Sequence, residues 1–191
     1  MSRHRLLFLV PAFLPALLLA AGSAADEEMR PTDCDDLDVR LEPLSDFRSV
    51  ECRTSGQSGF GGESAWTVQS EIIAYDAVSQ TIIFYDHAGP QTYMERQSPR
   101  DLFEGSLDDS VKGSWEKADN SNGFAIARFF SKAEGIQVPC FAFSRYGGHL
   151  AGTTGYQHRV VGIYCELISS DRPVSDVRIE EMTGKIDADF F

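Results

Sequence analysis

The chain has 191 residues, with 17 Lys and Arg against 29 Asp and Glu, a formal net charge of −12, and four cysteines. Such a charge disfavours nucleic acid and anionic membrane surfaces, so no nucleic-acid partner and no stable membrane insertion are expected. The length suffices for one domain with a real core.

The first residues carry Arg3, His4 and Arg5. Leu6 to Ala21 is then almost wholly apolar, interrupted by Pro11 and Pro15, and Gly22 to Ala25 are small or polar. A charged start, an apolar run and a small-residue cleavage site predict a secretory signal peptide over residues 1–25. The run is short for a membrane-spanning helix, and its prolines disfavour one. No cysteine at the cleavage site marks a lipoprotein, and no Arg-Arg pair marks twin-arginine export. Cleavage after Ala24 or Ala25 leaves about 166 residues. Without Arg3 and Arg5, 15 basic residues face 29 acidic ones, a net charge of −14. The expected location is the periplasm or the medium. In that oxidising setting an even cysteine count implies bridges, and four cysteines allow three connectivities. Cys34–Cys52 with Cys140–Cys165 is preferred because each pair is local.

Residues 26–38 (DEEMRPTDCDDLD) read as an acidic, solvated and partly disordered leader. Asp33, Asp35, Asp36 and Asp38 do not make an EF-hand, since its glycine and its final glutamate fall on Asp38 and Leu44. Residues 39–191 are expected to form one α+β domain. Asp46–Thr54 predicts a strand with Val50 and Cys52 inward. Ser55–Ser64 is a glycine-rich loop without the spacing of a phosphate cradle. Ala65–Ala74 alternates with Trp66, Val68, Ile72 and Ala74 on one parity, a strand for which a helix over Trp66–Tyr75 is the alternative. Ile82–Asp86 reads as the return strand after a turn near Asp76–Gln80. Ser98-Pro99-Arg100-Asp101 reads as a helix start: an N-cap serine, proline at N1 and an acid at N3, in a helix ending near Gly105. Asn122-Gly123 between Ser114–Asp119 and Gly123–Lys132 is a hairpin signal. Ala125, Arg128 and Ser131 break the alternation of the second run and predict a bulge there.

Gln137–Leu167 (QVPCFAFSRYGGHLAGTTGYQHRVVGIYCEL) is two apolar runs around a glycine-rich loop, the pattern of a strand pair. Setting Cys140 against Cys165 also sets Val138 against Leu167, Ala142 against Ile163 and Ser144 against Val161. The other face then pairs Phe141 with Tyr164, Phe143 with Gly162 and Arg145 with Val160, so a one-residue slip would mix the faces. Two apolar faces predict a central pair covered on both sides. A bridge here closes a loop of about 26 residues, worth about 3.5 kcal/mol. Ser170–Lys185 then changes period. Val174, Val177, Ile179, Met182 and Ile186 form one stripe, Ser175 or Asp171 is the cap, and Gly184 is placed for C′. This predicts a helix covering one face of the sheet. Ile186–Phe191 reads as a last strand.

The strand PCFAFSR, the return strand RVVGIYC and the helix PVSDVRIEEM resemble, in layout, small uncharacterised exported proteins of Gram-negative bacteria. The resemblance spans Val138–Ile186 and implies export, with no activity attached.

The chemistry-bearing patterns are sparse. Ser114-Trp115-Glu116-Lys117 matches S-x-x-K without its companion motifs, and neither G-x-S-x-G nor H-E-x-x-H occurs. His149 and His158 flank the glycine-rich loop with no third metal ligand marked. No catalytic residue, metal or cofactor is assigned. Arg145, Tyr146, His149, His158 and Arg159 gather cationic and hydrogen-bonding groups at one end of the hairpin of an acidic protein. They are the candidate contact site for a protein or a small anionic ligand. The expected fold is α+β, mainly an antiparallel sheet with a C-terminal helix packed on it and disulfide-stabilised. The expected role is non-catalytic binding or envelope interaction, with a small periplasmic hydrolase of dispersed site as the alternative.

Overall fold

A computed structural model of the chain describes residues 29–56, 66–104, 115, 119–133, 136–149, 152, 154–168, 170–188 and 190. The segment expected to be a signal peptide, most of the Ser55–Ser64 loop, and Ser114, Glu116 and Lys117 of the S-x-x-K stretch lie outside the described residues.

Ten strands are described: β1 (Arg30–Pro31), β2 (Val39–Leu41), β3 (Ser49–Thr54), β4 (Thr67–Tyr75), β5 (Ser79–Ala88), β6 (Asp119–Ser121), β7 (Phe124–Ala133), β8 (Ile136–His149), β9 (Tyr156–Glu166) and β10 (Ile186–Ala188). Two helices, α1 (Pro99–Glu104) and α2 (Asp176–Thr183), complete the regular structure with two short 3-10 turns. Eight strands form one sheet in the order β1-β3-β4-β5-β9-β8-β7-β6, and β10 pairs with β2 in a separate two-stranded ribbon. Every pairing is antiparallel. The sheet is thus two meanders, β3-β4-β5 and β6-β7-β8-β9, joined where β5 lies beside β9.

The β8–β9 pair is central and has the register that the apolar parity requires. Cys140 faces Cys165, Ala142 faces Ile163, and Phe143 faces Gly162. The missing side chain at Gly162 is filled by Phe143, whose Cζ lies 2.3 Å from where a β-carbon would stand. Pro139 pairs only toward β7, because pairing with β9 begins at Cys140, so its missing N–H costs no bond on that side. The other face partners also carry apolar groups. Cys52, Ile72, Ile83, Phe141, Phe143 and Tyr164 share one cluster with Val39 and Leu41 of β2, Ile179 and Met182 of α2, and Ile186 of β10. On the opposite face, Phe129, Cys140, Ala142 and Val161 pack with Phe103 of α1 and with Trp115.

The β6–β7 connection is a two-residue turn with Asn122 at φ 48° and Gly123 at φ 80°, the mirror-image turn that matches strand twist. The expected bulge in β7 is absent: its register with β8 runs unbroken from Ala125–Ser144 to Ala133–Ile136. Strict alternation was the wrong test for a strand buried on both faces. Arg128 stays on the core face because its Nε donates to the Val174 carbonyl at 3.2 Å and its Nη2 pairs with Asp176.

Residues 67–75 are strand β4, and the helix alternative over Trp66–Tyr75 falls. At Pro99 the predicted start holds: Ser98 Oγ accepts from Asp101 N–H at 3.2 Å and donates to Asp101 Oδ2 at 2.7 Å. The second helix is shorter than its apolar stripe suggested. Ser170 N–H still donates to the Gln137 carbonyl at 3.3 Å, and Pro173 holds its predecessor extended, so the helix waits for Ser175 as cap. Val177 is 66% exposed, Ile186 belongs to β10, and Gly184 closes the helix at φ −70° as C-cap rather than in a left-handed C′ position. The last strand joins β2 and not the main sheet. Residues 29–38, the described part of the acidic leader expected over 26–38 to be solvated and partly disordered, are held over much of their length. β1 pairs with β3, Thr32 N–H donates to the Cys52 carbonyl at 3.0 Å, Leu37 is buried, and Cys34 is bonded to Cys52 at 2.05 Å.

Candidate functional site

The five residues singled out from the sequence stand at one end of the sheet, but on both of its faces. Alternation along β8 and β9 separates them. Arg145 and His158 share the face of Phe143 and Val160, while Tyr146 and Arg159 share the face of Ser144 and Val161. Arg145 lies over the Phe124 ring at 5.5 Å, and its Nη1 donates to the Asn122 carbonyl at 3.4 Å. Burial lowers its pKa.

Arg159 is committed to Asp86 across the β5–β9 pair. Its Nε and Nη2 both donate to Asp86 Oδ2, at 2.8 and 2.6 Å, and Gln69 Nε2 donates to Oδ1 at 3.0 Å. Burial acts to lower the Arg159 pKa, but the charge and hydrogen bonds of Asp86 outweigh it and the net shift is upward. Tyr146 Oη accepts the Gln97 N–H at 3.0 Å. Its ring stands 5.3 Å from that of Tyr156, against which exposed His149 is set edge-on at 5.4 Å. Met94 bridges to Tyr156, and Tyr93, 52% exposed, lies over Gly155. Tyr93, Tyr146, His149 and Tyr156 therefore form an aromatic surface bordering the glycine-rich loop.

His158 belongs to a second group on the core face, which sequence reasoning missed. His87 and His158 are register partners, with ring centroids 4.5 Å apart. Tyr85 Oη lies 3.0 Å from His158 Nδ1 and donates to Asp38 Oδ2 at 3.3 Å. His87 Nδ1 is 3.9 Å from the same carboxylate oxygen, and Trp66 stands edge-on to His87 at 5.0 Å. Phe190 stacks on His158 at 4.5 Å and on Tyr85 at 5.1 Å. It fits there because residue 147 is glycine: a β-carbon at Gly147 would stand 2.8 Å from Phe190 Cδ2.

Burial, and then His87, hold the His158 imidazole below its usual pKa, with Asp38 opposing. Burial and the Asp38 carboxylate push the Tyr85 phenol well above its usual range. The chain Asp38–Tyr85–His158 can carry a proton between a carboxylate and an imidazole through one phenol. Its members come from positions 38, 85 and 158. The only sequence signal was a histidine at the end of each of two strands whose pairing was not foreseeable.

All four cysteines are in disulfides, Cys34–Cys52 and Cys140–Cys165, which removes thiolates as nucleophiles and metal ligands. Among the described residues no three His, Cys, Asp or Glu are placed to hold one metal ion. Among them also, no helix is long and apolar enough to cross a membrane. No protein-family model matches the chain, and no curated protein or solved structure is significantly similar to it.

Proposed function

We propose that this chain is an exported, disulfide-stabilised α+β domain of the periplasm or the medium, which acts by binding a protein partner and not by catalysis. The export reading rests on the charged, apolar and small-residue order of residues 1–25, on the resemblance in layout to small exported proteins of Gram-negative bacteria, and on the complete pairing of the cysteines. The binding reading is carried by one observation. Tyr146, His149 and Tyr156 meet beside a glycine-rich loop, and Tyr93, 52% exposed, lies over Gly155, next to Tyr156 in the chain. Tyrosine gives a large contact area at low entropic cost, with a hydroxyl for orientation. A protein is favoured over a small anion because Arg159 is already neutralised by Asp86 at 2.6 Å.

The test is in-cell photo-crosslinking, with the probe placed at position 93 or 149 and, as a control, at exposed position 177. A discrete crosslinked protein from 93 and 149 but not from 177 is the expected result. No product, or the same products from all three, overturns the binding reading. Recovery of extracellular or periplasmic chain with residues 1–5 intact overturns export with cleavage. Labelling of the folded chain by a fluorophosphonate probe would move the assignment to a hydrolase.

A further inference from the structure

The Asp38, Tyr85, His87, His158 and Phe190 group is more than packing. Two imidazoles sit 4.5 Å apart, and one of them is capped face-on by an aromatic ring from the segment that follows β10. That segment follows β10, which pairs with the three residues of β2 and stands outside the eight-stranded sheet. We propose that Phe190 is an acid-released latch, closed while His87 and His158 carry at most one proton between them and opened when both are charged.

The charged and titratable groups facing the pair are Asp38 from the segment before β2 and Tyr85 from β5. One proton is accommodated. Asp38 lies 3.9 Å from His87 Nδ1 and reaches His158 through Tyr85, and an aromatic face tolerates a cation. A second proton sets two like charges at ring distance with one carboxylate to offset both, and Phe190 covers one face of the His158 ring. Opening hydrates His158 and relieves that penalty.

The direction follows from linkage. The closed state holds His158 below the ordinary imidazole range, so the open state takes up protons first as pH falls. The latch is closed above about pH 6.5 and is lost as pH falls through the closed-state titration of His158. The device requires only that the folded chain meet acid, and it stands whether or not the export reading does.

The experiment is NMR of the full chain between pH 8 and pH 4.5. It follows the two histidine rings and the cross-relaxation between the Phe190 and His158 rings. The expected result is loss of that contact with the second protonation step while the amides of β8 and β9 stay dispersed. Asp38→Asn should move the loss to higher pH, because the compensating charge is gone. His158→Gln, which cannot charge, should keep residues 186–190 protected from proteolysis at acid pH where the native chain is cut. Gly147→Ala should expose them at every pH by evicting the ring. Three results would overturn the proposal: a Phe190–His158 contact that persists with both histidines charged, a His158→Gln chain cut at the same pH as the native one, or loss of the contact only together with unfolding of β8 and β9.

Discussion

At the scale of single residues, two side chains show how little slack the sheet allows. Gly162 sits opposite Phe143, and a β-carbon there would stand 2.3 Å from the Phe143 ring and 2.5 Å from the Ile82 carbonyl oxygen. The ring could turn away only into neighbours that are themselves buried, and the carbonyl is sheet backbone. Overpacking in such a place costs about 1–3 kcal/mol or more. Gly162→Ala should therefore lower the unfolding free energy by about 3 kcal/mol in urea melts. A change below about 0.5 kcal/mol would show that β8 and β9 are not packed as described. Arg159 and Asp86 make the converse point: a charged pair lies inside the sheet because both carboxylate oxygens and two guanidinium nitrogens are satisfied.

At the scale of elements, caps and turns decide where structure starts and stops. Ser175 Oγ accepts the Arg178 N–H at 3.3 Å and Gly184 N–H donates to the Glu180 carbonyl at 2.9 Å, so an eight-residue helix is closed at both ends. So short a helix survives through its packing and its caps, not through propensity. Its inner face contributes Ile179 and Met182 to the core, and Asn122 of the β6–β7 turn donates to the Glu180 carbonyl at 2.9 Å. Ser175→Ala should cost about 1 kcal/mol, measured by urea unfolding, and amide exchange should rise first over residues 176–183. Equal exchange across the native and variant helices would mean that Ser175 does not cap it.

At the scale of the whole molecule, the two meanders depend on one long-range seam, β5 beside β9, which brings Tyr85 to His158 across 73 positions. Such pairing forms late and is costly in chain entropy. The disulfides reduce that cost at two separate places, spanning 18 and 25 positions. By loop length they are worth about 3.2 and 3.5 kcal/mol and should add, because the loops do not overlap. Reduction of both should remove about 6–7 kcal/mol, a large share of an ordinary domain's stability. The check is the urea midpoint with and without a thiol reductant. Loss of less than about 2 kcal/mol would show that the sheet is sound without its bridges. Because residues 29–38 are held against the sheet, breaking Cys34–Cys52 should cost within about 1 kcal/mol of breaking Cys140–Cys165.

Local pattern alone determined much of this protein. Alternating runs marked β3 and β4, a return run after a turn marked β5, and apolar runs around a glycine-rich loop marked β8 and β9. Asn122-Gly123 marked the β6–β7 turn, and Ser98-Pro99 marked the start of α1. The parity of Cys140, Ala142, Phe143, Gly162 and Ile163 set the β8–β9 register, because a shift by one residue exchanges the two faces. These signals are legible because each is a contact between neighbours in the chain or across one hairpin. What only the tertiary structure decided lies beyond that range. The order of the strands placed β5 against β9. The pairing of β10 with β2 set the last strand outside the main sheet. The alternation of faces divided Arg145 and His158 from Tyr146 and Arg159. Most consequential is the meeting of Asp38, Tyr85, His87, His158 and Phe190, which come from four separate stretches of the chain. No periodicity marks such a group, because its members share a place only after the two meanders have joined. The one residue that makes room for it, Gly147, reads in sequence as part of a flexible loop.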